Sequence, residues 1–289
     1  MGGVFALYRP KHWAKNLFVF MPLFFGGAMT DVSLLLDSIV AFFAFSFAAS
    51  AVYCYNDIID VEADRRHSVK CHRPIASGRI SVAMGAVLCA LAALAALMVS
   101  CLVTGWATLL CIVAYLTMEL FYCHWLKRIA IIDVVILASG FVLRILTGSA
   151  ATGIVPSHWL VLMTFLLMLL LSLAKRRDDV LRMQQTGIPP RHNTKRYNLT
   201  FINQAVTVTA SVTLVCYIMY TISPEVTSRA NSQYMYLTTI LVLLGLLRYM
   251  QRAAVDQNTG DPVKLLYRDH FLQAVVLLWV IAYAVVIYG

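Results

Sequence analysis

What this chain can fold into is constrained above all by a recurring length. Stretches of about twenty mostly apolar residues repeat along its 289 residues, at roughly 13–30, 34–56, 82–103, 106–123, 131–150, 157–174, 199–222, 233–250 and 267–288. A helix of about twenty residues covers about 30 Å, the thickness of a bilayer's hydrocarbon layer. In lipid the backbone must satisfy its own polar groups, so repeated runs of this length predict helices. The expectation is an all-α, polytopic membrane helix bundle of about nine transmembrane helices, forming a single domain over 1–289. Composition agrees: 61% of the residues are hydrophobic and only 13% charged, which is too apolar for a soluble domain. Pro22 and Gly26-Gly27 predict a bent or tilted first helix. No cleavable signal peptide is expected, because Pro10 to Lys15 precede the first apolar run without an A-x-A-like site.

Charge orients the bundle. The formal net charge is +9, a value also found in nucleic-acid binders. Here the cations sit in short loops, without an aromatic-interleaved stripe, so no nucleic-acid partner is expected. With nine spans, all 23 Lys and Arg residues except Arg144 and Arg229 fall on the N-terminal side. The positive-inside rule then places the N-terminus and the charged motifs in the cytoplasm and the C-terminus outside. The seven cysteines show no CxxC and no metal-ligand spacing and read as reduced packing residues.

One polar stretch follows the second apolar run: YCYNDIIDVEADRRHSVKCHRPIASGRIS, Tyr53 to Ser81. At about 100° per residue, Asn56, Asp57, Asp60 and Asp64 fall within one arc of about 100°. Carboxylates on one face repel unless a divalent cation sits among them. Oxygen-only ligands suit Mg²⁺, which binds through one or two carboxylates plus substrate phosphates. Asp57, Asp60 and Asp64 are therefore the candidate metal ligands, and the following cations, Arg66, Lys70 and Arg73, would hold an anionic substrate. The plainer alternative is a solvated helix end with i,i+4 salt links. Pro74, Gly78 and Ser81 read as a turn and then an N-cap for the third span.

A second charged cluster, AKRRDDVLRMQQTG at 174–187, ends the sixth span. Lys175, Asp179 and Arg182, at i, i+4 and i+7, share one helix face, flanked by Arg176. Cations lead here, which suits a second phosphate or the far end of a long anionic ligand. A snorkelling, salt-linked helix end fits the same residues equally well. Arg144 lies inside the fifth span, where an arginine must pair or face a cavity. A structural pair with Glu119 and a substrate-phosphate contact are both open. Lys127, in the loop before Asp133, is either a cavity-facing cation or a topogenic lysine. Tyr53, on the face of Asp60, either lines the substrate pocket or packs in the core. His67 and His72 lack zinc-ligand spacing. The HNTKRYN run at 192–198 either closes over the cytoplasmic mouth or is a plain basic loop.

The pattern N-D-x-x-D-x-x-x-D followed by R-x-x-x-x-K-x-x-R-P-I-A-S-G resembles the first signature of the UbiA superfamily of intramembrane prenyltransferases. The likeness covers essentially the whole chain. It implies a helical membrane fold, Mg²⁺, and a diphosphate substrate. In the aromatic prenyltransferases the second signature is also aspartate-rich, whereas here it reads K-R-R-D-D. That departure resembles the decaprenyl-phosphate phosphoribosyltransferase branch. So do R-P-K-x-W-x-K-N at Arg9–Asn16, which adds Lys15 to the substrate-binding set, and L-K at Leu126-Lys127. Further matches are G-F-V-L-R at Gly140–Arg144, A-T-G at Ala151–Gly153 and D-P-V-x-L-x-x-x-D at Asp261–Asp269.

The resemblance implies phosphoribosyl diphosphate as donor, a polyprenyl phosphate as acceptor, and a bacterial cytoplasmic membrane as location. Asp57, Asp60 and Asp64 would hold Mg²⁺ against the leaving diphosphate, with Asn56 fixing the geometry or touching donor hydroxyls. Arg66, Lys70 and Arg73 would contact donor phosphates. Lys175, Arg176 and Arg182, with Asp179 beside them, would serve the lipid phosphate or the donor 5-phosphate. The lipid phosphate is already an anion, so its attack needs no strong base. Two other functions stay open: prenyl transfer from a polyprenyl diphosphate to an aromatic or other small acceptor, and a lipid or ion transporter. Transporters often carry helices broken at the midplane, whereas here both charged clusters lie at the cytoplasmic margin. Oligomeric state is open, a homo-oligomer included.

Overall fold

A computed structural model describes residues 2–67, 69–102, 104–230, 234–255 and 268–288. It is helical throughout, with no strand among the described residues. The helices are α1 (Gly2–Tyr8), α2 (Met21–Phe25), α3 (Val32–Ile59), α4 (Val61–Arg65), α5 (Val82–Leu102) and α6 (Trp106–His124). They continue with α7 (Ile132–Thr152), α8 (His158–Thr186), α9 (Leu199–Thr221), α10 (Pro224–Ala230), α11 (Thr239–Ala254) and α12 (His270–Tyr288). Among the described residues, eight helical stretches are long and apolar enough to cross a membrane. The chain is a multi-pass membrane protein.

The first expected span, 13–30, is not one α-helix. It is a 3-10 helix, Pro10–Phe20, running into α2. At about 2.0 Å per residue the 3-10 winding makes the pair about 30 Å long, so this ninth stretch also has the reach of a membrane crossing. The winding follows from the spacing of its contacts. Three residues per turn stack side chains that are three apart, where an α-helix would swing each by about 60°. Trp13 Nε1 donates to Ser50 Oγ at 3.1 Å, and Asn16 Nδ2 donates to Ser46 Oγ at 2.9 Å. Val19 is fully buried with Ala41, Phe45 and Ala48. One line of residues thus faces one side of α3.

The chain divides into two compact units, residues 1–126 with 140–156, and 127–139 with 157–289. In the first, α5 packs along α3. Its inner face is small, with Gly85, Ala92, Ala96 and Ser100 buried, which allows close helix approach. Its outer face exposes Met84, Val87, Leu91, Leu94 and Met98, an apolar stripe at helical spacing that suits lipid. Ser81 caps α5 by accepting from Met84 N–H at 3.2 Å, as expected. Asp31 caps α3 by accepting from Ser33 N–H at 2.9 Å. On α7, a methyl group at Gly148 would lie 1.8 Å from the Val19 carbonyl oxygen. Gly148→Ala should therefore destabilise the protein by about 1–3 kcal/mol, seen as a lower midpoint in thermal unfolding in detergent.

In the second unit α8 packs along α9, and α11 along α12. Leu170 and Ala174 of α8 meet Ala210 of α9 and Tyr249 of α11 in one core. Tyr220 and Tyr283 share a buried hydroxyl contact of 2.6 Å, and Trp279 Nε1 donates to Tyr217 at 2.7 Å. The α8 helix has 29 residues, far more than a bilayer needs. Its last turns carry the KRRDD sequence beyond the apolar run.

Candidate active site

Asp57 ends the buried face of α3 and is 1% exposed. Its Oδ1 accepts from Arg9 Nη2 at 2.6 Å and Arg73 Nη1 at 3.0 Å. The same Arg73 Nη1 donates to Asp64 Oδ2 at 2.6 Å, and Lys70 Nζ lies 3.9 Å from Asp64 Oδ1. Asp64 is equally buried, at 1% exposure. Two carboxylates are thus gathered on one guanidinium, with Arg9 and Lys70 beside them. A carboxylate pair would repel without these cations.

The expected single arc of acids is broken at Asp60. This residue closes α3 with φ −89° and ψ 6°, outside the helical basin, and α4 starts afresh after it. Asp57 and Asp64 therefore meet through Arg73, while Asp60 and Asn56 are half-buried. Among the described residues no three His, Cys, Asp or Glu side chains gather closely enough to hold one ion. The donor set nevertheless fits a hard cation. Asp57 Oδ2 is buried with no hydrogen-bond partner among the described residues, and an unsatisfied anionic oxygen in that setting is costly. Oxygen donors alone match Mg²⁺, which needs only one or two carboxylates when phosphates complete its shell.

The structure adds Arg9, which in the sequence is one of the cations on the N-terminal side and the first residue of the Arg9–Asn16 motif. Arg9 takes a left-handed backbone, φ 51° and ψ 57°, strained for a residue with a Cβ by about 1–2 kcal/mol. Its guanidinium lies 5.0 Å from the centre of the Tyr53 ring, so Tyr53 supports a cation at the site. Arg66 and Lys15 are exposed. Arg144 is 5% exposed, and its hydrogen bonds go to Asn16 Oδ1 at 2.8 Å and the Gly140 carbonyl at 2.7 Å. Glu119 lies beside the arginine across Gly140 and interacts with it electrostatically, and the structure adds a buried amide, Asn16, as its hydrogen-bond partner.

The second unit holds its own charged cluster. Arg176, 1% exposed, donates from Nε to Asp133 Oδ2 at 2.7 Å and from Nη1 to Asp179 Oδ2 at 2.9 Å. Arg191 Nε donates to the same Asp179 oxygen at 3.0 Å. Tyr197 donates to Asp133 Oδ1 at 3.0 Å and accepts from Ile131 N–H at 2.6 Å. Ile131 is the other non-glycine residue at positive φ, 71°, and a β-branched side chain is a genuine outlier there. Burial pushes the Tyr197 phenol up to about 12, so it stays a proton donor to Asp133. Lys175, Asp179 and Arg182 lie on one continuous helix at the expected spacing but differ in burial: Asp179 is buried, while Lys175 and Arg182 are exposed. Arg177 points inward too, with Nε on Asn203 at 2.8 Å. Lys127 is half-buried, and its carbonyl accepts from Asn193 at 3.2 Å. In the HNTKRYN run, Asn193, Thr194 and Tyr197 are buried, which is more than a plain basic loop would show.

Arg248 and Arg252 both bind Asp269, at 3.0 and 2.5 Å. Burial works against this carboxylate, but the Leu272 N–H and the two arginines outweigh it and hold its pKa at about 2. A depressed folded value means stability present above the ordinary 3.8 and lost as pH falls through about 2. Asp269→Asn should therefore lower the thermal midpoint at pH 7, and the gap from the parent should close only below about pH 4. The rest of the Asp261–Asp269 motif lies outside the described residues, apart from Arg268.

The UbiA prenyltransferase family model matches residues 17–275. Decaprenyl-phosphate phosphoribosyltransferase from Corynebacterium glutamicum is 31% identical over 99% of this chain and 87% of its own. The enzyme of the same name from Mycolicibacterium smegmatis is 32% identical over 97% of this chain and 91% of its own. In fold, the chain is similar to a UbiA homologue from Archaeoglobus fulgidus bound to GPP and Mg²⁺. The TM-score is 0.74 at 16% identity, over 99% of this chain and 100% of that one.

Proposed function

We propose, from the premise that the chain belongs to the UbiA prenyltransferase family and is a UbiA-type transferase, that it moves 5-phosphoribose from phosphoribosyl diphosphate to a polyprenyl phosphate. The observation that carries this reading is Asp57. It is a buried carboxylate with one unmatched oxygen, and Arg9 and Arg73 sit on the other. A carboxylate so placed suits a metal, and the two arginines beside it suit a diphosphate.

The curated relatives that bear the phosphoribosyltransferase name support the choice of donor, as does the cation-led KRRDD sequence. Both substrates would be anionic and the donor carries an extra 5-phosphate, so this chain needs more cations than one with an uncharged aromatic acceptor. In this reading Asp57, through Oδ2, with Asp64 or Asp60 as a second carboxylate, would hold Mg²⁺, and phosphate oxygens would complete its shell. Bound Mg²⁺ supplies Lewis-acid neutralisation of charge on the departing diphosphate. Arg9, Arg73 and Lys70 bind the diphosphate oxygens and keep them bound as the bond from the anomeric carbon breaks. An oxygen of the lipid phosphate forms the new bond to that carbon, and the diphosphate leaves with the electron pair. The nucleophile is already deprotonated, so no side chain need remove a proton. Lys175, Arg182 and Arg191, with Lys127, are cations of the second unit suited to a phosphate. The site faces the cytoplasm of a bacterial inner membrane, where a soluble sugar diphosphate is available.

Donor dependence tests the reading. Purified protein with labelled phosphoribosyl diphosphate, polyprenyl phosphate and Mg²⁺ should yield labelled lipid and an equal amount of diphosphate. Turnover of geranyl diphosphate with an aromatic acid, and none of phosphoribosyl diphosphate, would overturn it.

A further inference from the structure

We propose that Arg144 is a positioning residue that acts on Asp57 through the 3-10 helix and Arg9. The proposal rests on the reading of the Asp57 cluster as the diphosphate site. An arginine within an apolar helix is costly and persists where it has work to do. Arg144 is enclosed by the rings of Phe45, Phe141 and Tyr115, at 4.7, 4.9 and 5.4 Å from its guanidinium carbon. From there its Nε reaches Asn16 Oδ1 at 2.8 Å, and Asn16, 1% exposed, passes the link to Ser46 of α3 at 2.9 Å.

Asn16 lies on the line of 3-10 residues that faces α3. One turn nearer the N-terminus, Trp13 is held by Ser50 at 3.1 Å, and the Ser50 hydroxyl shares its one proton between the Tyr8 carbonyl at 3.0 Å and the Ser46 carbonyl at 2.8 Å. Those bonds bracket the peptide before Arg9, the residue in the left-handed conformation. A strained backbone of this kind survives only where its surroundings over-determine it. The outcome of the strain is a guanidinium 2.6 Å from Asp57 Oδ1. Partners at 46, 50, 53 and 57 all lie on one side of α3, so the 3-10 helix is fastened at its middle, through Asn16, by Arg144, and Arg9 stands at its N-terminal end. Loosening Asn16 would free the strained turn, and Arg9 would leave the diphosphate site without any loss of a residue that touches substrate.

Two measurements on the purified full chain test this. The first is hydrogen exchange of the backbone amides in 10–20, with no substrate present. Arg144→Gln and Asn16→Leu should each raise exchange there about tenfold. Asn16→Asp, which keeps the acceptor for Arg144, should leave it near the parent value. The second is a double-mutant cycle on the donor KM. Arg144→Gln should raise KM about tenfold alone and add nothing in an Arg9→Ala background, whereas a role in general stability would add in both. Unchanged exchange in folded Arg144→Gln and Asn16→Leu overturns the proposal whatever the donor is. Raised exchange in these variants, with a parent protein that transfers no phosphoribose, supports the tether and overturns the donor reading instead.

Discussion

Asp57→Asn is expected to lower the transfer rate by about 10²–10³-fold while leaving the helices intact. The asparagine oxygen can still accept from Arg9 and Arg73, which now sit 2.6 and 3.0 Å from Asp57 Oδ1. What disappears is the negative charge and the second oxygen, buried here with no hydrogen-bond partner among the described residues. That oxygen is the one a hard cation would take. The loss should therefore appear in kcat and in the Mg²⁺ concentration needed for half-activity, with little change in thermal midpoint. Glu62→Gln is the control. Glu62 is exposed and pairs with Arg65, and a surface pair of that kind is worth little.

Arg176→Gln should have the largest effect on stability of any single charge change in the second unit. It would leave Asp133, 0% exposed, and Asp179, 7% exposed, without the cation that now bonds both. Breaking a buried pair by removing one partner costs about 3–5 kcal/mol, because the remaining charge stays desolvated. For a protein of this size the thermal midpoint should fall by about 5–8 °C. Exposed Lys175 and Arg182 offer the contrast. Their alanine variants should unfold near the parent temperature and lose activity through weaker binding of anionic substrate, seen in KM.

The helices and the acidic site were legible for different reasons. Apolar runs of bilayer length leave few alternatives, so the crossings could be placed by counting. The 3-10 winding of Pro10–Phe20 could not, because it depends on which side of α3 receives Trp13, Asn16 and Val19. The acid-rich stretch after Tyr53 was recognisable by type and spacing, yet helical periodicity alone mis-set its geometry: Asp60 ends α3, and Arg73 gathers Asp57 and Asp64. Arg9 was hidden because a cation before an apolar run usually reads as topogenic. Only its left-handed backbone and its reach to Asp57 mark it out. Asn16 carried no charge to draw attention, and its importance rests on a bond to a residue 128 positions away. In KRRDD, adjacent residues of equal charge differ by burial, and that difference is set by neighbours such as Asp133 and Asn203 that are distant in sequence.

The central claim is that Asp57 brings a divalent cation and a diphosphate together. Mn²⁺, bound in place of Mg²⁺ to the purified chain with inorganic diphosphate, reports this through its magnetic coupling to phosphorus nuclei. The parent should show ³¹P coupling to protein-bound Mn²⁺, and Asp57→Asn should lose it while the fold stands. Equal coupling in both proteins, or none in the parent at saturating Mn²⁺ and diphosphate, would contradict the account.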